Sequence, residues 1–445
     1  SSRFKTALAG EGTIVRSAGD VEAALAAAPF TVDVVYEAPF LAHATLEPQN
    51  CVAHVHDGRC DIWGPLQMPT SGSHVIAHAL GMPANDVSIH LTRIGGGFGR
   101  RLNSDYAVEA AYLSKAVGAP VQVVWSREDD FRHDYYRPAS LHHVRAGVGS
   151  NGRISAWDHH FASVSRNAYR LDTEPPETTE IYGLFTPRSS DSRRDRTADL
   201  VPTLIPNCRL RYSDVASSIP RGAWRAPAHN FNAFVVQSVI EELAHVSGLD
   251  PIALRLADLG EASDFPSSGN DPAPYDPSRL RAVLKLAAER SDYRSRVRPG
   301  RGLGIAAHFT FGSYAAEVAD VSVDEQKRLR VHRVVAVIDV GRPVNPLNLE
   351  AQTHGGIIDG LSAALFGEIT IDGGRTVQSN FEDYPLLRNR DAPEVEVHIV
   401  PSQQPPTGFG EIALPPIAPA VANAIWAATG RRIRRLPFVS SGLTV

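Results

Sequence analysis

The sequence is poorest in the sulfur-bearing residues: of 445 residues, three are Cys (Cys51, Cys60 and Cys208) and two are Met. Three scattered cysteines build neither a disulfide framework nor a CxxC pair, and they fall short of the four thiolates that usually hold an iron–sulfur cluster. Redox chemistry in this chain therefore needs a cofactor held by other means. Excess charge is also scarce, since 44 Lys and Arg against 49 Asp and Glu leave a net charge of −5, which gives no global case for nucleic-acid binding. No apolar run approaches the roughly 18 residues of a membrane span, and Ser1 to Gly19 lacks the apolar core of a signal peptide.

What is present is an ordinary globular composition, 43% hydrophobic and 21% charged, in a chain long enough for two or three compact units. Residues 1 to 30 read as a lead-in with one short Ala-rich helix near 21–28. From Thr31 the pattern is β: TVDVVYEA alternates, and CVAHVH and CDIWGP flank Asp57-Gly58, a hairpin turn signature. SIHLTRI, a glycine run and a helix N-capped at Asn103 or Ser104 read as strand, loop and helix, and VQVVW as a further strand. Residues 173–206 are polar and aperiodic, an expected exposed insertion, before RLRYSDV and a helical spacing of apolar residues from Phe234 to Val246. Asp250-Pro251 opens another helix that stops at Gly260. The Pro-, Gly- and Ser-rich stretch 261–278 reads as a linker. The expected organisation is mixed α/β, with one domain over 31–260 and a second over 279–445.

Three segments carry chemistry. In Gly95-Gly96-Gly97-Phe98-Gly99, consecutive glycines between a strand and a helix let backbone N–H groups approach an anion, with Arg100 and Arg101 alongside. Nucleotide fingerprints fail here: Arg100 stands where G-x-G-x-x-G needs its third glycine, and no G-x-x-x-x-G-K-[ST] exists, so a nucleotide-phosphate enzyme and a ligand-free tight turn remain as alternatives. Glu411, in Gly408-Phe409-Gly410-Glu411-Ile412, is either a general base with a raised pKa or a solvated loop residue near a helix N-terminus. Arg225 beside Trp224, in RGAWRAPAH, is either a clamp on a planar substrate or an arginine packed on an aromatic. The 17 histidines form no HExxH, and the adjacent pairs His142-His143 and His159-His160 point to opposite faces of a strand, so they read as structural. No G-x-S-x-G supports a serine hydrolase.

Over about residues 30 to 445 the chain resembles the molybdenum-binding large subunit of the xanthine oxidase family. The resemblance is strongest to the branch of the isoquinoline oxidoreductase β-subunit and bacterial aldehyde dehydrogenase large subunits. Its carriers are PFLAHATLEPQNCVA, GPLQ at 64–67, IGGGFGRRLNSDYAVEAAYLSKAVGAPVQVVWSREDD, AWRAPAHNFNAF, DVGRPVNPLNLEAQTHGGIIDGL and GFGEIALPPIAPAVANAI, in the family's order. The resemblance implies two molybdopterin-binding α/β domains. It also implies molybdopterin cytosine dinucleotide as cofactor, contacted by Gln67, Gly96, Gly97, Phe98, Gly99, Arg100, Ala226, Gln352 and Gly410. Arg225 matches an arginine that orients substrate, with Trp224 beside it, and Glu411 matches the glutamate that acts as general base at molybdenum. The pterin dithiolene holds the metal in this family, so no protein metal ligands are expected.

The implied reaction is oxidation of an aldehyde, or hydroxylation of a carbon next to a ring nitrogen, with water as the oxygen source. Electrons leave through iron–sulfur clusters on a small partner subunit, and then to a cytochrome c or another acceptor. Leu102 stands where purine-oxidising relatives carry a glutamate, which makes a purine substrate less expected. The M-G-Q-G type segment of the family is absent, so the resemblance also implies a C-terminal portion of a larger subunit, with the rest supplied by another segment or polypeptide. A non-catalytic scaffold subunit is the alternative. Relatives in this branch are often exported with a partner, giving a periplasmic expectation and a cytoplasmic alternative.

Overall fold

The computed structural model describes residues 2–166, 205–260, 275–293, 297–298 and 300–445. In the first half, helices α1 (Ser2–Ala9) and α2 (Val21–Ala27) flank strand β1 (Thr13–Ala18). Strands β2 (Phe30–Ala38), β3 (Asn50–His56) and β4 (Arg59–Gly64) follow, then α3 (Pro69–Leu80), β5 (Val87–Leu91), α4 (Asp105–Val117), β6 (Val121–Val124) and α5 (Arg127–Arg132). Strands β7 (Ser140–Val148), β8 (Ile154–Ser163) and β9 (Asn207–Asp214) precede helices α6 (His229–Ser247) and α7 (Pro251–Asp258). The second half holds α8 (Pro277–Arg290), β10 (Val297–Arg298), β11 (Arg301–Thr310), β12 (Ser313–Val323), β13 (Leu329–Asp339) and α9 (Pro346–Phe366). A small hairpin of β14 (Ile371–Asp372) and β15 (Arg375–Thr376), strand β16 (Glu394–Ile399) and α10 (Ile417–Thr429) complete it.

Three main sheets form among the described residues, in the orders β1-β9-β8-β7-β2, β5-β4-β3-β6 and β10-β11-β12-β13-β16. The first and third sandwich α6, a helix buried around nearly its whole circumference, with polar residues such as Asn232, Gln237 and Glu241 among the buried ones. The largest hydrophobic cluster runs through Trp157 and Phe161 of the first sheet, Phe234 and Val239 of α6, Val334 of the third sheet and Val421 of α10. The two halves expected as separate domains therefore share one core. Residues 1–30, expected as a lead-in, instead supply β1, which pairs antiparallel with β9 from Thr13↔Tyr212 to Ala18↔Cys208. Apart from residues 205–206 and 275–278, the expected insertion and linker lie outside the described residues.

Close backbone approach sets the position of α10. A Cβ on Gly302 or Gly304 would lie 2.3 Å from Ala424 O or 2.1 Å from Ala424 N, so this Ala-rich helix lies directly on β11. Two glycines of α9 act likewise: a Cβ on Gly360 would lie 2.7 Å from Ile417 Cγ2, and one on Gly356 would lie 3.2 Å from Ala413 Cβ. The loop ahead of α10, with Glu411, is thus fixed from both sides. His142 and His159 are buried side by side with ring nitrogens 2.9 Å apart, while His143 turns outward to Asp33 at 2.6 Å. Burial holds the His159 imidazole down to about 3, which keeps this pair neutral. No helix among the described residues is long and apolar enough to cross a membrane.

Candidate active site

Seven stretches of the sequence, from His43 to Glu411, meet at one cavity of about 790 Å³, a size suited to a small molecule or cofactor. Two of them arrive by turns that their sequences permit, and another lies on α9. The glycine loop leaves β5 with φ +102° at Gly96 and +106° at Gly99, and a Cβ on Gly99 would lie 1.7 Å from Ala223 O. Only glycine lets the loop touch the 221–229 segment there. Phe98, Ala226 and Ala228 also have positive φ, at +52°, +56° and +63°. Each such non-glycine residue costs about 1–3 kcal/mol, and strain of this kind concentrates at functional sites.

Hydrogen bonds tie the segments together. Gln67 Oε1 accepts from the N–H groups of Gly99 and Arg101, both at 3.2 Å, and no donor or acceptor among the described residues engages its amide nitrogen. Arg225 N–H donates to Phe98 O at 2.8 Å. The Arg225 guanidinium donates to Gly410 O from Nε (3.0 Å) and Nη2 (2.6 Å), and from Nη1 to Gly355 O and Asp359 Oδ2, both at 3.2 Å. Gln352 Nε2 also donates to Gly410 O, at 2.8 Å. Glu411 Oε1 accepts from Ala226 N–H at 3.0 Å. Burial pushes the Glu411 carboxyl above the usual range, while the Ala226 N–H and the Arg225 charge pull it part of the way back.

Gln67, Gly97, Phe98, Gly99, Arg225, Gln352, Gly410 and Glu411 therefore line the cavity. Gly96 and Ala226 act behind it, through loop conformation and the N–H that holds Glu411. Two side chains differ from expectation. Trp224 does not stack over the cavity, because its indole is buried against Leu41, Ala226 and Leu414. The Arg100 side chain does not face an anion there either: it pairs internally with Asp105, at 2.9 and 2.7 Å, and with Asp134 at 3.2 Å.

Sequence reasoning passed over two titratable residues at the cavity, His43 and Asp359. His43 has acceptors at both ring nitrogens, Asp134 Oδ1 at 2.8 Å and Ala223 O at 3.0 Å. Burial pushes Asp134 up, but the His43 and Arg100 charges more than offset this and hold it below its usual value. Burial raises the Asp359 carboxyl, against the pull of Arg225. Both residues sit inside segments noted above, PFLAHATLEPQ and HGGIIDGL, but their partners lie 91 and 134 positions away.

Among the described residues no group of three or more His, Cys, Asp or Glu is placed to hold a metal ion. The cysteines are buried, and desolvation pushes the thiols of Cys51 and Cys60 up to about 12 and about 11, far from thiolates. A metal already bound to an organic ligand needs no such set. The cavity fits such a group: it offers the free amide nitrogen of Gln67, a glycine-lined wall and the carboxyl of Glu411.

Comparison with known proteins agrees. Two family profiles, each described as a molybdopterin cofactor-binding domain, match residues 8–181 and 280–393, together more than half the chain. The isoquinoline 1-oxidoreductase subunit beta of Brevundimonas diminuta is 32% identical over 422 residues, covering 91% of this chain and 49% of that protein. A membrane-bound aldehyde dehydrogenase (pyrroloquinoline-quinone) of Gluconacetobacter polyoxogenes is 30% identical over 448 residues, covering 96% and 55%. The chain thus spans about half the length of these curated relatives. In fold it is similar to the aldehyde oxidoreductase of Desulfovibrio gigas, with a TM-score of 0.78 at 16% identity over 96% of this chain and 62% of that one. The chain belongs to the xanthine oxidase family and carries the molybdopterin cofactor-binding domains of its molybdenum-binding large subunit.

Proposed function

We propose that the chain forms the catalytic part of a molybdenum hydroxylase that oxidises an aldehyde or hydroxylates an N-heteroaromatic ring carbon, using water. The observation that supports this reading is the Glu411 carboxyl, held by Ala226 N–H and lining the same cavity as the glycine loop and Gln67. When bound, molybdopterin cytosine dinucleotide supplies the two-electron oxidation and the oxygen transfer that no side chain here supplies. Gln67 and the Gly96–Gly99 backbone would hold its pterin end, and Gln352 would contact it from α9.

The chain's own residues bind, orient and move a proton. Leu102, Ile94, Phe98 and Ile358 give the cavity apolar walls against which an apolar or aromatic substrate would pack. Ala226 N–H fixes Glu411 Oε1, leaving Oε2 to take the proton released as oxygen is transferred. Arg225 restrains the loop through Gly410 O. Leu102 supplies no polar group for a purine, in keeping with an aldehyde or a simple heteroaromatic substrate.

With three buried cysteines and no cluster-binding set among the described residues, the electrons require iron–sulfur clusters on a partner subunit. The same reading includes a further polypeptide segment completing the cofactor site, a final acceptor such as a cytochrome c, and a periplasmic location. The test is purification of the native complex, with molybdenum, iron and released nucleotide measured per chain. Stoichiometric molybdenum with a cytosine nucleotide supports the proposal, and a metal-free complex overturns it in favour of a scaffold subunit.

A further inference from the structure

The cavity has four titratable lining residues, and their pairing leaves it short of free positive charge. Both ring nitrogens of His43 are committed, to Asp134 and to Ala223 O, so neither is left to reach a ligand, and Asp134 is paired with the buried Arg100 as well. Arg225 is the remaining cation. Its donated bonds to Gly410 O, Gly355 O and Asp359 occupy four of its five N–H groups. A carboxylate ligand needs two parallel N–H groups for the strong forked contact, and Arg225 has one to offer.

Asp359 has the opposite situation. Its Oδ2 accepts from Arg225, whereas no hydrogen bond from the described residues reaches Oδ1, and the side chain is 24% exposed in the cavity. With Glu411, the lining carries two carboxylates against one guanidinium.

We propose that Asp359 selects substrate by charge: the site accepts rings that are neutral, cationic or present an N–H donor to Asp359 Oδ1, and rejects rings that bear a carboxylate. The proposal rests on the molybdenum hydroxylase reading and narrows its substrate class. A carboxylate near Asp359 would meet like charge with no N–H pair of Arg225 free to balance it, whereas a ring N–H or a carboxamide N–H would meet an open acceptor.

The test is equilibrium binding to the purified native complex, reduced so that no turnover occurs. The probes are isoquinoline, N-methylisoquinolinium, isoquinoline-3-carboxamide and isoquinoline-3-carboxylate. The last two are close in shape and differ in charge. The carboxamide is expected to bind at least roughly tenfold more tightly than the carboxylate, with the gap narrowing at high salt. Asp359→Asn should shrink the gap to below about threefold, and Asp359→Glu should preserve it. Carboxylate binding as tight as carboxamide binding in the unaltered complex overturns the proposal, as does an unchanged gap in a folded Asp359→Asn complex. A separate turnover assay of the oxidised complex, on the same probes and on a simple aldehyde, tells the two readings apart: if the order holds while none of them is oxidised, charge selection stands and the hydroxylase reading falls. If the probes are oxidised but the order fails, the reverse is true.

Discussion

Replacing Arg225 by alanine separates two roles for this residue, an anchor for substrate and a restraint on the Glu411 loop. The substitution removes four donated hydrogen bonds, two of them to Gly410 O immediately before Glu411. Hydrogen bonds from a charged group contribute about 1.5–3 kcal/mol each. Those two restrain the loop by about 3–6 kcal/mol, and Gln352 Nε2 and entering water recover a part. A net loss near 3 kcal/mol, if it appears as misplacement of the base, lowers kcat on the order of 100-fold at 1.4 kcal/mol per factor of ten. The KM of a neutral substrate should change by less than about threefold, because the guanidinium already has protein partners. The assay is steady-state reduction of an artificial acceptor by the native complex, with one aldehyde and one N-heterocycle as substrates. A preserved kcat with a KM raised tenfold or more would refute the loop-restraint role and make Arg225 a substrate anchor.

Two further outcomes follow from the same geometry. Gly99→Ala places a Cβ 1.7 Å from Ala223 O at φ +106°, so the loop must move and molybdenum content should fall below about half. Gly58→Ala, at φ +74° with nothing within 4 Å, should cost only about 1 kcal/mol and leave the metal content unchanged. Glu411 acts as a base only when ionised and its pKa lies above the usual carboxylate value, so kcat/KM should be full above that raised pKa and fall as pH drops through it. The acid limb should therefore lie above the ordinary glutamate value of about 4.3, and Arg225→Ala, which removes a favourable charge, should move it higher still. An acid limb at or below the ordinary value would count against the buried-base assignment.

Much of this molecule is legible in its sequence, and the gaps have physical causes. Alternation marked β2, β3 and β4, and the Asp57-Gly58 turn joins β3 to β4 as expected. Helix α6 begins at His229, ahead of the apolar spacing that starts at Phe234, because it is buried on all sides and its first turn carries no amphipathic signal. Helix α3 carries Gly72 and three hydroxyl residues in TSGSHV, and its burial under Leu66 and Ile89 outweighs the weak propensity. Strand β1 escaped notice because it is an exposed edge whose pairing with β9 joins residues nearly two hundred positions apart. At the cavity, motif order identified the glycine loop, Gln67, Arg225, Gln352 and Glu411, all of which line it. Local sequence does not reveal side-chain direction, which turns Trp224 into the core and commits Arg100 to Asp105 and Asp134. Nor does it reveal a pair such as Arg225 and Asp359, whose members meet only when α9 packs against the 221–229 segment.

The most direct measurement is turnover of Glu411→Gln in the native complex, normalised to its molybdenum content. Gln keeps the volume of the side chain and an oxygen for Ala226 N–H but takes up no proton, so molybdenum content and folding should match the unaltered complex. Turnover should fall by about 10²–10⁴, the range supplied by a positioned general base. Turnover per molybdenum close to that of the unaltered complex would contradict the assignment of Glu411 as the base of a molybdenum hydroxylase.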